Sequence, residues 1–334
     1  MNNGQYYRSA ELVDLIQENF SGFHAGYRSV HASGRYYAAI FKASGEAARL
    51  SRASHFQGEP VPATVRFSNA PSGYPLRPAN TTSMAVKFYL EDGTVTDIIA
   101  LPIPLFVARH PDEVLELLTV SKPDEVTGNQ DIEKVQGFFK ARPWLVRAFH
   151  AARSTPAAAS FAQTPYHPIH AFRFVNRAGE SVYGRYHWIP VAGAASQSVE
   201  DLQSKPATYL FEELEERLRT APVYFDLMLQ LAADGDPTDD PSAPWPEDRT
   251  QVKLGSLEIH RPTSVEEIGD TVMLHDPTRV TDGIELTDDP ILAARRGIYD
   301  VSAAHRTGGW KGRQAAIERA GCPFMGVIKP AYGR

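Results

Sequence analysis

Cysteine occurs once in this chain of 334 residues, at Cys322, which excludes intrachain disulfides and any thiolate cluster around a metal. It sits in a Gly-Cys-Pro turn and reads as a bystander thiol. Long apolar runs are missing, so no segment is expected to insert in a membrane. Excess positive charge is missing too: 34 Lys and Arg stand against 40 Asp and Glu, a formal net charge of -6. Without clustered basic residues, neither nucleic acid nor a membrane surface is expected as a partner. The glycines form no phosphate-binding fingerprint ahead of a helix, so no NAD(P)H site is expected. The first residues have neither a basic nor an apolar leader region, which reads as cytoplasmic. Histidines such as His55, His167, His170 and His187 lack the pair spacing of a zinc or iron site and read as structural or surface groups. The pairs Asp239/Asp240 and Asp288/Asp289 read as helix caps and solvated loop charges.

What is present is a globular composition, 43% hydrophobic and 22% charged, with ample core to enclose a prosthetic group. Ser9 to Asn19 reads as a short amphipathic helix capped by Ser9. Period-2 patterns predict strands over 36–42, 63–69, 84–90, 94–100, 170–176, 181–191, 223–231 and 253–260, the third and fourth joined by a turn at Glu91-Asp92-Gly93. A helical stretch, broken at Pro123 and Pro143, spans about 111–153, and an acidic helix about 209–219. The Ala-, Ser- and Pro-rich segment 154–168 reads as a surface linker, and helices close the chain over 289–320. Eight strands in two groups of four suit an α+β fold: a closed eight-stranded antiparallel β-barrel with helices packed outside. Its interior holds side chains or one ligand, so a planar cofactor belongs at the wall or mouth.

In the last helical region, Arg295, Tyr299, Ser302 and Arg306 follow at i, i+4, i+7 and i+11 and project to one side. A tyrosine held as phenolate is a hard oxygen donor for ferric iron and one of the few axial haem ligands, and a guanidinium one turn away favours that anion. Arg306 can pair with a haem propionate. By spacing alone, an Arg-x-x-x-Tyr pair is far more often ordinary packing.

Earlier in the chain, Arg28-Ser-Val-His31-Ala-Ser-Gly34 precedes the first strand, and the second carries Val65-Arg66-Phe67-Ser68-Asn69. A histidine lining a cavity can take a proton from one peroxide oxygen and return it to the other, provided its imidazole is neutral and not itself bound to metal. Alternation puts Arg66 and Ser68 on one face of the strand and Phe67 on the other. An arginine among apolar residues needs an anionic partner, and a cofactor carboxylate serves. Ser68 is placed to orient the His31 imidazole through a hydrogen bond.

These segments, with Ala85-Val-Lys-Phe-Tyr89, Pro104-x-Phe106 and Arg295-x-x-x-Tyr299 followed by His305-Arg306, resemble the ordered signatures of the haem catalase family. Phe172 to Gly179, Tyr183 to Trp188, Trp245-Pro246 and Val252 to Glu258 resemble later barrel strands of the same family. The resemblance covers roughly residues 23 to 306. It implies haem b, with Tyr299 as iron ligand and Arg295 bonded to its phenolate. It makes His31 the distal acid–base residue and Ser68 its supporting hydroxyl. Arg28, Arg66 and Arg306 would hold the propionates, Phe106 would be a distal aromatic, and Val30 would narrow the approach to the iron. The whole chain is expected to be one haem-binding domain, with the barrel at about 23–262 and the proximal helix and its successors at about 287–322.

The pattern breaks at one point. Large catalases carry a Gly-Asn-Asn-Thr-Pro stretch where this chain has Ala100-Leu101-Pro102-Ile103-Pro104, so Leu101 stands where a catalytic amide would be. Asn69 or Asn80 would supply the amide if the alignment slips. The chain is also short, and resembles the minimal catalase-related peroxidases. The expected activity is reduction of organic hydroperoxides or hydrogen peroxide by an external electron donor, with weak dismutation. Isomerisation of a fatty-acid hydroperoxide and a non-catalytic haem carrier or sensor are the alternatives. A homo-oligomer is compatible with all three.

Overall fold

A computed structural model of the chain describes residues 3–19, 28, 31–70, 81–124, 127 and 129–307. Val30, Asn80, Cys322 and the helical region expected beyond residue 307 lie outside them.

All eight expected strands are present: β1 (Ser33–Ala43), β2 (Val61–Ala70), β3 (Thr81–Tyr89), β4 (Val95–Ala100), β5 (Ala171–Val175), β6 (Ser181–Pro190), β7 (Val223–Leu231) and β8 (Gln251–Thr263). A ninth, β9 (Ile284–Leu286), is added against β5 and was not foreseen, because three residues are too few to show alternation. The antiparallel sheet runs β9-β5-β6-β7-β8-β1-β2-β3-β4. Its ends are not joined by a ladder among the described residues, which differs from the expected closed eight-stranded barrel. Two isolated bridges, Leu101 to His167 and Tyr166 to Trp188, instead hang the segment at 166–167 between the end of β4 and β6. The hairpin between β3 and β4 turns where expected, with Gly93 at φ +80°.

One face of the sheet closes over a single apolar core containing Tyr37, Phe41, Phe67, Phe88, Phe174, Trp188, Phe225 and Leu257. Phe67 is central: its ring lies 4.9 Å from Phe161 and 5.8 Å from Tyr37. Burying such side chains is worth roughly 1.5–3 kcal/mol each. Because Phe67 points inward, Arg66 and Ser68 point outward, and the second strand delivers polar groups to the outer wall.

The longer helices are α1 (Asn3–Asn19), α2 (Pro111–Val120), α3 (Ile132–Lys140), α4 (Val146–Ser154), α5 (Tyr209–Thr220) and α6 (Pro290–Arg306). The first begins at Asn3, so Ser9 is a buried residue within it and not its cap. It packs against α6 and α2. The segment expected as a surface linker is buried instead. Ala157, Ala158, Phe161, Ala162 and Tyr166 all belong to the core. Its small residues permit close approach, and the Ser160 hydroxyl caps the turn by accepting from the Ala162 amide (3.0 Å).

Candidate functional site: a haem pocket on the sheet wall

The β1–β2 register sets Gly34 opposite Ser68 and Tyr36 opposite Arg66, all on the face turned away from the core. The Arg66 guanidinium folds back over Gly34. A Cβ at Gly34 would lie 2.3 Å from Arg66 Nη2, so the missing side chain is the seat of that cation. From there Nη2 donates to the carbonyls of His31 (2.8 Å) and Ala32 (3.4 Å). His31 itself is held at φ +55°, a left-handed conformation uncommon outside glycine. Such strain persists only where surrounding contacts impose it. Its Nδ1 is buried without a hydrogen-bond partner among the described residues. Burial, reinforced by Arg66, Arg295 and Arg28, lowers the His31 pKa to about 3. The imidazole is therefore neutral near pH 7 and can accept a proton. Cations from β2 and from α6 both act on it, so these distant elements converge on one place.

Three guanidiniums meet beside it. Arg28 donates to the Tyr36 phenol oxygen (3.4 Å) and to the Met273 carbonyl, and Arg306 donates to the Val272 carbonyl (2.5 Å). Met273 supplies its carbonyl from a left-handed backbone, φ +40°. Arg66 Nε and Arg306 Nε are buried without partners among the described residues. Burial and the neighbouring Arg28 bring Arg66 down to about 9 and Arg306 down to about 10. The carboxylate beside them, Asp270, is committed to Lys87 (2.5 Å) and to the Met273 amide (2.7 Å). None of the three arginines has a salt bridge among the described residues. Unpaired cations at such close quarters require an anion.

The proximal side is built on α6. Asp289 caps this helix, its Oδ1 accepting from the amides of Ile291 (2.8 Å) and Leu292 (3.1 Å), and Pro290 follows at the first helical position. Asp289 Oδ2 lies 2.6 Å from His170 Nδ1, His170 Nε2 lies 2.9 Å from Arg295 Nη1, and Arg295 Nη2 lies 2.5 Å from the Tyr299 oxygen. An arginine can only donate, so His170 Nε2 accepts and the ring proton sits on Nδ1, donated to Asp289. Burial holds His170 at about 4, neutral, despite its carboxylate partner. The four side chains form one polarised row ending at the Tyr299 oxygen. Sequence reasoning set His170 aside as structural and Asp289 as a cap. Asp289 is a cap, but its second oxygen carries the row. No local spacing marks this, since His170 and Asp289 are 119 residues apart.

The remaining expected residues fall as follows. Ser68 bonds across the strands to Ser83 (2.5 Å), its direct partner in the β2–β3 register, rather than to His31. Asn69 lies on the opposite face of β2 from Ser68, and its amide donates to the Ala207 carbonyl (3.2 Å), which removes it as the distal amide. Leu101 is half-buried and exchanges backbone hydrogen bonds with His167, and the Phe106 amide donates to the Pro241 carbonyl (2.9 Å).

A group with two carboxylates and an iron that takes a tyrosine oxygen matches the orphaned guanidinium nitrogens on one side and the Tyr299 row on the other. Fold and site thus suit the haem-binding class, in which a tyrosine oxygen is one of the possible axial donors. The family model for catalase matches residues 11–329. A catalase-related peroxidase of Mycolicibacterium paratuberculosis is 37% identical over 309 residues, covering 91% of this chain and 96% of its own. A catalase-related peroxidase of Synechococcus elongatus is 33% identical, covering 90% and 88%. A catalase of Alkalihalophilus pseudofirmus is 28% identical, covering 92% of this chain and 48% of its own length. The chain belongs to the catalase family, and is an oxidoreductase of a haem-dependent kind. No helix among the described residues is long and apolar enough to cross a membrane.

Proposed function

We propose that the whole chain forms one haem b-binding peroxidase domain that reduces organic hydroperoxides or hydrogen peroxide with an external electron donor and dismutates hydrogen peroxide weakly. The observation carrying this reading is the neutral His31 imidazole beside the cation cluster and within the field of Arg295; the resemblance, which sets Leu101 where large catalases carry an amide, supports it. Haem, when bound, supplies an iron that accepts oxidising equivalents from the peroxide. Arg28, Arg66 and Arg306 hold its carboxylates, and Tyr299 donates to the iron with its oxygen oriented by Arg295. His31 takes the proton from one peroxide oxygen and returns it to the other, which its neutrality allows. Leucine packs against a peroxide without gripping it, so a second hydrogen peroxide is poorly oriented and an organic tail is tolerated.

Oxygen evolution and donor oxidation, measured side by side on the holoprotein, test this. Donor oxidation with an organic hydroperoxide and little oxygen from hydrogen peroxide is expected. Oxygen release at the rate of a large catalase overturns the peroxidase assignment, and an absorption spectrum without haem overturns the cofactor.

A further inference from the structure

We infer that Tyr36 is a fourth member of the haem carboxylate site, a hydrogen-bond donor lying among Arg28, Arg66 and Arg306. The inference rests on the haem reading above and adds a residue to it.

Tyr36 stands directly across from Arg66 in the β1–β2 pairing, on the same outer face. Its ring lies 5.8 Å from the Arg66 guanidinium carbon, and its oxygen accepts from Arg28 (3.4 Å). The ring packs against the small cluster of Tyr89, Ile268 and Met273, which fixes its direction. Burial by itself would push the phenol up, but Arg28, Arg66 and Arg306 outweigh it and the net displacement is downward. All three cations therefore point their field at this one oxygen.

The chemistry complements the arginines. A guanidinium donates and never accepts, so the three can contact an anion but cannot link to one another. A phenol does both. Its oxygen takes the hydrogen bond from Arg28, and its own O–H is left for a carboxylate oxygen seated in the cluster. Tyr36 would thereby orient the anion as well as bind it, from a side chain already packed in place.

Zinc protoporphyrin IX and its dimethyl ester, each titrated into the unaltered chain and into Tyr36→Phe by fluorescence, test the idea. Neither probe turns over peroxide. Losing a hydrogen bond to a charged group, Tyr36→Phe should bind the free acid at least about tenfold more weakly, which is about 1.4 kcal/mol. The ester, lacking the carboxylates, should bind the two proteins within about twofold of each other, which also shows that the pocket is intact. Equal losses for both probes would make Tyr36 a packing residue, and no loss for either would remove it from the site. Failure of the unaltered chain to bind either probe would overturn the haem reading and this inference with it. Tight binding by the unaltered chain with no effect of the substitution overturns this inference alone.

Discussion

His170 Nε2 and Arg295 Nη1 lie 2.9 Å apart although 125 residues separate them in the chain. Through this contact the carboxylate that starts α6 is linked to the phenol nearly three turns along it. Replacing His170 by Leu strips the buried Asp289 Oδ2 of its partner and the half-buried Arg295 of an acceptor. A loss of about 1–3 kcal/mol in unfolding free energy is expected. The absorption spectrum of the haem-loaded protein should shift as well. A destabilised variant with an unaltered spectrum would confine His170 to packing.

Tyr299→Phe removes the oxygen on which that row ends. The variant should purify with little haem while keeping its circular dichroism. Full haem content with an unchanged spectrum would take the iron ligand away from Tyr299.

His31→Phe keeps the ring volume and removes the proton acceptor. Peroxide consumption in single turnover should fall on the order of 10²- to 10⁴-fold, the usual worth of a positioned acid–base group. The unaltered enzyme should hold its peroxide rate down to pH 5, because His31 stays neutral until about pH 3. A rate that halves near pH 6.5 would contradict the environment described for this imidazole.

Leu101→Asn puts an amide where the resemblance to the large catalases expects one. The ratio of oxygen released to donor oxidised should rise, by about tenfold for one well-placed hydrogen bond of roughly 1.4 kcal/mol. No rise, with the fold intact, would show that the backbone tie to His167 holds this position away from the peroxide.

Acid stability carries a separate signature. His55 is buried among Phe41, Phe56 and Phe88, and burial lowers it from 6.5 to about 3. Its folded pKa is depressed, so the unfolded chain takes up the proton first. The stability it permits is complete above pH 6.5 and is lost progressively as the pH falls toward 3. Between pH 6.5 and 5 this one residue should cost about 2 kcal/mol, which His55→Phe should abolish in denaturant titrations at the two pH values. Parallel losses in both proteins would mean that His55 is neutral for another reason.

Much of this site was legible because its signals are local. Alternation along β2 separated Phe67 from Arg66 and Ser68, and helical spacing brought Arg295 to Tyr299. What escaped depends on contacts between distant segments. His170 looked unremarkable because its partners lie far along the chain, and the carbonyls of Val272 and Met273 have no side-chain signature at all. Ser68 found a nearer hydroxyl in Ser83 once β3 was paired beside it. Tyr36 was read only as part of a strand, although its parity with Gly34 already placed it on the outer face. The segment containing Ala157 to Tyr166 was misread because alanine and serine suit a linker and a tight internal contact equally well.

Gly34 separates two properties that usually move together. Its empty Cβ position is filled by the end of a flexible arginine, not by backbone. A methyl group there would displace the Arg66 guanidinium at little expense to the β1–β2 pairing, so the loss would fall on cofactor retention and not on the fold. Under the proposed haem reading, the grip of the pocket on its anion can thus be graded from a residue that carries no side chain of its own, while the scaffold beneath stays the same.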